Sequence, residues 1–242
     1  MTRNYFKKLP AWAIVFIVIG GITLLIGLSG SGKAVLFGLV LAGLGAFAIY
    51  SYIQGKPTDQ QMDEWLEEDL HRLSEKALVK TGTDKDETKA DAVTVTGPRF
   101  WRIGGASILW KRGNDGTLRY SPMEVSVINF TEHQLLAYTC VLDRTTGNPL
   151  NESTEEFFYK DVVSVSTTTK SDTQDMGTLG NIQMNAAEYF ILLNAGGGEL
   201  KVFLRDPTLI SRMGGGEIPT TRAEKAIAAV RSMLRAKKST VA

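Results

Sequence analysis

Cysteine and histidine are nearly missing from this chain of 242 residues, which holds one Cys (Cys140) and two His (His71, His133). One thiol makes no internal disulfide, and three such side chains scattered along the sequence fall short of a usual zinc set. Net charge is missing as well. The 27 Lys+Arg against 26 Asp+Glu leave a formal charge of +1, which excludes a strongly basic nucleic-acid binder and a highly charged disordered chain. Acids are absent from residues 1–58, where five cations stand (Arg3, Lys7, Lys8, Lys33, Lys56), leaving 22 cations and 26 acids for the other 184 residues. The two parts are written for different solvents. Catalytic signatures are lacking too: there is no G-x-S-x-G, H-E-x-x-H, C-x-x-C or dinucleotide fingerprint. The acid pairs Glu67/Glu68 and Glu155/Glu156 are adjacent, so their side chains point in different directions and make no dyad by themselves. His133 reads as a solvated turn residue. Cys140, alternating with Tyr138 and Leu142, reads as a buried structural thiol. The expectation is a protein that is not an enzyme and uses no cofactor or metal.

What is present begins with two long apolar runs. From Leu9 to Gly55 the only charge is Lys33, in the stretch SGSGK that separates LPAWAIVFIVIGGITLLIGL from AVLFGLVLAGLGAFAIYSYI. Each run holds about 20 residues, which at about 1.5 Å per residue matches a hydrocarbon core of about 30 Å. The expectation is a transmembrane helical hairpin over residues 1–56, with Trp12 and the Tyr50/Tyr52 pair near the interfaces. Arg3, Lys7 and Lys8 before the first run, against Lys33 alone in the turn, place both termini in the cytoplasm of a multi-pass inner-membrane protein. A cleavable signal peptide is the competing reading, opposed by the length of the first run and by the second that follows at once. Ala34, Gly38, Ala42 and Ala46 recur at four-residue spacing and form a seam for close helix packing, on the first span or on another copy.

Residues Gly27 to Lys33 also satisfy the spacing G-x-x-x-x-G-K of a phosphate-binding loop. Ala34 stands where a magnesium-holding hydroxyl is required, and the flanks are apolar spans rather than a strand and an amphipathic helix. The segment is read as a tight turn, and a nucleotide-binding enzyme is the remote alternative.

Pro57 ends the second span, and Thr58 with Gln61 opens a new helix that Gly82 closes, an amphipathic element over residues 57–82. Met62, Trp65, Leu66, Leu70, Leu73 and Ala77 form its apolar stripe, whose partner is either the following domain or the same helix of another subunit. Residues 83–98 are assigned to a linker, though a short strand is expected at Val93 to Thr96. A β domain follows over 99–242. Its strands are expected at Ser107 to Lys111, Leu118 to Asn129, Gln134 to Leu142, Glu155 to Tyr159, Val162 to Thr169, Ala187 to Leu193 and Leu200 to Leu204. Turns are expected at Asn114-Asp115-Gly116, Thr146 to Pro149 and Ala195 to Gly198, and long loops at Ser171 to Ala186 and Ser211 to Glu217. A terminal helix from Thr221 buries Ala223, Ile227, Val230 and Leu234.

About seven strands and one closing helix is the element order of pleckstrin-homology-like (PH-like) domains. MEVSVINFTEHQLLAY resembles the strand, turn and strand that open bacterial PH-like and GRAM-type domains, FFYKDVVSVSTTT their aromatic-acid strand, and AEYFILLNAGGGELKVFL their late hairpin. The resemblance covers roughly residues 105–237 and implies binding or scaffolding, in a class often joined to membrane spans; fold alone settles no activity. Phosphoinositide-binding relatives carry cations in the first hairpin, a placement that Lys111, Arg112 and Arg119 loosely match. With Arg99 and Arg102, and with Phe100, Trp101 and Trp110 between them, they form a candidate contact for anionic lipid headgroups or a partner. A near-neutral chain with a membrane tether argues against nucleic acid. The sequence thus leads to a two-helix membrane anchor with a mainly β, PH-like domain that binds a protein partner or self-associates as a homo-oligomer; the alternative is a sensor of anionic lipid.

Overall fold

The computed structural model describes residues 3–101, 103–176, 180–218 and 221–241, with side chains for all of these except 221, 222 and 238–241. The chain divides into two compact units, Thr2–Thr58 and a second that runs from Asp59 to the C-terminus.

The first unit is a pair of apolar helices, α1 (Ala11–Gly27) and α2 (Gly32–Gln54), packed side by side. The 23 residues of α2, with a mean hydropathy of 2.1, are long and apolar enough to cross a membrane; α1 is equally apolar in character but has 17 residues. Their packing depends on missing side chains. A Cβ on Gly20 would lie 2.6 Å from the Ala42 backbone nitrogen, one on Gly38 2.8 Å from the Gly20 carbonyl, and one on Gly45 2.6 Å from the Ala13 carbonyl. The seam therefore runs through Ala34, Gly38, Ala42 and Gly45, and Ala46 is exposed. Steps of four residues overshoot a helix of 3.6 residues per turn, so the face drifts, and seven residues from Gly38 the facing position is Gly45.

The second unit opens with α3 (Asp59–Thr81). It begins directly after Thr58 and stops at Gly82, whose φ of +64° lets the Gly82 amide reach the Val79 carbonyl and the Thr83 amide the Leu78 carbonyl (3.0 Å). Met62, Leu70, Leu73 and Ala77 are buried, and the helix packs on the β domain of its own chain. This decides between the two partners that the apolar stripe allowed.

Among the described residues nine strands follow: β1 (Ala90–Pro98), β2 (Leu109–Arg112), β3 (Leu118–Ser121), β4 (Met123–Phe130), β5 (Gln134–Asp143), β6 (Asn148–Phe158), β7 (Val162–Asp175), β8 (Asn181–Asn194) and β9 (Glu199–Arg205). They form an antiparallel sheet in the order β1-β4-β5-β6, a second in the order β7-β8-β9, and the hairpin β2-β3 inserted between β1 and β4. A short helix α4 (Pro207–Arg212) and the closing helix α5 (Thr221–Val241) complete the unit. One core gathers α3, β4, β5 and the α4 region around Leu73, Val125, Tyr138 and Phe203; the other gathers α5 and both sheets around Phe130, Phe190, Ile227 and Val230.

Three boundaries differ from those read in the sequence. The segment 83–98 is not wholly a linker, because β1 pairs with β4 along its length and lies inside the domain. Leu118 to Asn129 is two strands rather than one, divided at Pro122, which has no amide proton to donate to a ladder. Much of the expected loop Ser171 to Ala186 is the outer part of the β7-β8 hairpin, with Asp172 opposite Met184 and Asp175 opposite Asn181. On the β7 side SDTQD lacks the apolar alternation that marks a half-buried strand, whereas NIQMN on β8 does alternate, with Met184 buried, a signal too short to separate it from a loop.

Candidate functional site

The expected cationic contact is held by carboxylates. Arg119, 3% exposed, donates to Asp63 from Nε (2.9 Å) and Nη2 (2.6 Å), and to Asp115 from Nη1 (3.0 Å) and Nη2 (2.7 Å). Asp59 approaches both Arg119 (4.0 Å) and Lys111 (3.9 Å), and its Oδ2 accepts from the Asn114 amide at 2.8 Å. The first turn of α3 thus clasps the β2-β3 hairpin, and the arginine holds Asp115 well below the usual carboxylate range. Arg99 donates to Glu124 and stacks over Trp101 at 4.5 Å, while burial pushes the Glu124 carboxyl upward. Arg112 is exposed at the hairpin. Arg102 lies outside the described residues. The structure therefore brings Lys111 and Arg119 together, but around acids rather than around an open anion site.

The loop with phosphate-binding spacing is a turn between α1 and α2. Its amides are turned inward: Ser29 donates to Ile26, Gly30 and Ser31 to Gly27, and Ala34 and Val35 to Ser31. Amides engaged this way do not converge on an anion. Cys140 is buried with Tyr138 and Leu142, as expected, and burial raises its thiol to about 12, far from a reactive thiolate. Tyr138 donates to Glu152 (2.7 Å), which Lys76 also binds, so this cluster ties α3 to β6. His133 is exposed at its turn. Among the described residues no cluster of three or more His, Cys, Asp or Glu has metal-binding geometry.

A different feature lies on the β7 side of the domain, and the sequence reading did not single it out. Among the described residues β7 forms a ladder with β8 alone and stands at the end of its sheet. The eight residues Val162 to Thr169 (VVSVSTTT) carry no charge and no proline, and six of them are β-branched. Such an edge is a template for another strand, and proteins usually blunt it with charge, proline or cover. Beside it a groove of ≈ 360 Å³ is lined by Val162, Val163, Val165, Leu234, Arg231 and Arg235. Val163 is 63% exposed, and outside residues 12–53 the exposed large hydrophobic side chains of the described residues are Val79, Phe158 and Val163. Two of those three flank the β6-β7 corner. Arg231 and Arg235 of α5 give the groove a basic wall, and Arg231 Nη2 donates to Thr167 Oγ1 of β7 at 3.4 Å.

No family profile, no curated protein and no solved structure matches the chain.

Proposed function

We propose that this chain is a non-catalytic, membrane-anchored scaffold or accessory subunit whose β domain holds an extended segment of a protein partner, or of a second copy, at the β7 edge. The observation that carries this reading is the uncharged run Val163 to Thr169 on the end strand of its sheet, with Val163 exposed, beside the groove with Arg231 and Arg235. Strand addition supplies main-chain hydrogen bonds for affinity, and a flanking pocket supplies selection.

The anchor is read as both helices crossing the bilayer with the termini in the cytoplasm. Leu9, Pro10 and Leu28 extend the apolar stretch of α1, and a helix slightly short of the hydrocarbon thickness is accommodated by local thinning. The cations at residues 3, 7 and 8 favour the inner side. A PH-like domain is supported by the order of four meandering strands, three more and a closing helix, with β2-β3 as an insertion. The lipid alternative through residues 99–119 is disfavoured by the acids that already hold Arg99, Lys111 and Arg119.

A photo-crosslinking amino acid placed at Val163 of the full chain tests the reading, with Val79, 80% exposed on α3, as the control position. A discrete adduct is expected from position 163 in carbonate-washed membranes, reduced at least tenfold by Arg231→Glu with Arg235→Glu. Adducts equal at the two positions, or a chain removed by carbonate, overturn it.

A further inference from the structure

We propose that the α1–α2 pair carries a binding site for one anionic phospholipid, with the phosphate among Lys7, Lys8 and Lys56 and an acyl chain along Phe16 and Phe47. The proposal rests on the membrane-anchored half of the preceding reading, and is independent of what docks at β7.

The residues before α1 and those after α2 meet at one end of the pair. Tyr52 holds them together: its hydroxyl donates to the Lys7 carbonyl (2.9 Å) and accepts from Lys56 Nζ (2.9 Å), which also lies 5.0 Å from the Tyr52 ring centroid. A cavity of ≈ 700 Å³ opens there, lined by Lys7, Lys8 and Lys56 together with Trp12, Phe16 and Phe47. That volume is within the range of small-molecule sites, about 300–1,000 Å³. The lining divides by chemistry as an amphiphile does. Three ammonium groups stand at the chain ends, while the aromatic and aliphatic side chains come from the bodies of the two helices.

No acid occurs in residues 1–58, so this unit contains no carboxylate to neutralise the three lysines. An ammonium supplies point-charge donors suited to a phosphate, and an inner leaflet is rich in anionic headgroups. Trp12 lines the same cavity, and indole side chains favour the depth where headgroup meets hydrocarbon. A soluble phosphate would satisfy the lysines and leave Phe16 and Phe47 unused, whereas a phospholipid uses both ends.

The test reads Trp12 directly. The full chain is reconstituted in neutral phosphatidylcholine vesicles doped with phosphatidylglycerol brominated on its acyl chains, and quenching is compared between the wild type and Trp12→Phe to isolate the Trp12 signal. Half-maximal Trp12 quenching is expected at a phosphatidylglycerol fraction at least tenfold lower than for brominated phosphatidylcholine. Lys7→Gln with Lys8→Gln and Lys56→Gln abolishes that preference; Lys56→Gln alone weakens it several-fold and serves if the triple variant does not insert. Coincident curves for the two lipids, or a preference that survives the triple variant, overturn the proposal. So does loss of the preference in 10 mM inorganic phosphate, which assigns the lysines to a soluble anion. If carbonate strips the chain from membranes, the anchor reading fails and the lipid site with it. If the chain stays and the curves coincide, the lipid site alone fails.

Discussion

Arg119 shows how far a single residue's role depends on partners distant in sequence. In the chain it is one of five cations near three aromatic residues, a pattern suited to an anionic surface; in the fold Asp63, 56 positions earlier, turns it into a clasp. Its guanidinium is buried while Asp63 and Asp115 are about half exposed, so the consequences of mutation are asymmetric. Replacing both acids by Asn leaves the buried guanidinium with Asp59 at 4.0 Å as its nearest remaining carboxylate and is expected to be clearly destabilising, whereas Asp63→Asn alone leaves Asp115 in place and costs much less. Urea midpoints of the two variants check this ordering. The sign with pH follows from the same contact. Arg119 lowers the Asp115 carboxyl below its ordinary 3.8, so its stabilisation is complete above that value and is lost as pH falls through the folded value. Glu152, lowered by Lys76, and Asp172, lowered by Tyr189, act in the same direction, while the raised Glu124 opposes them. Acidification below about pH 4 is therefore expected to lower the urea midpoint, and Asp115→Asn to flatten part of that fall.

At the scale of elements, the sequence exposed what local chemistry controls. α3 and α5 were legible because their apolar stripes keep helical spacing and their ends carry capping residues, and α2 because nothing but a helix suits so long an apolar run. The strands β4, β5, β8 and β9 were legible as apolar runs between turn residues. The outer part of β7 and the first half of β6 were not, since both are largely exposed and polar. Of the candidate sites, the seam through Gly38 and Ala42 was readable from spacing, whereas the β7 groove required knowing which strand lies at an edge. Gly97 was unreadable for the same reason. It sits where β1 crosses β9, and a Cβ there would come within 1.6 Å of the Phe203 carbonyl, a backbone atom with no rotamer to give way. Overpacking commonly costs about 1–3 kcal/mol, and a backbone clash of this depth belongs at or above the top of that range. Gly97→Ala is expected to lower the urea midpoint accordingly, and Gly104→Ala, with open space around its Cβ, to leave it unchanged.

At the scale of the molecule, the position of α3 sets where the β domain begins. The sequence placed that beginning at residue 99, after an amphipathic helix and a linker. In the structure the second unit starts at Asp59, and Met62, Leu70, Leu73 and Ala77 are each 5% exposed or less because α3 packs on the sheet. β1 is the strand beside β4 in the first sheet and supplies Val95 to the second core. Cutting at residue 99 therefore removes a strand and uncovers the apolar face beneath α3, which includes Val125, Tyr138 and Leu142. Exposed apolar area of that kind drives association. A fragment of residues 59–242 is expected to be monodisperse and to unfold in one cooperative transition, because each of its cores is intact. The fragment 83–242, which keeps β1 and loses α3, is expected to bind a hydrophobic dye and to unfold at a clearly lower urea concentration; 99–242 is expected to aggregate. Light scattering and urea titration of the three fragments decide the matter. If 83–242 proved as stable as 59–242, α3 would be a tether rather than part of the domain, and the clasp between Arg119 and Asp63 would contribute nothing to the fold.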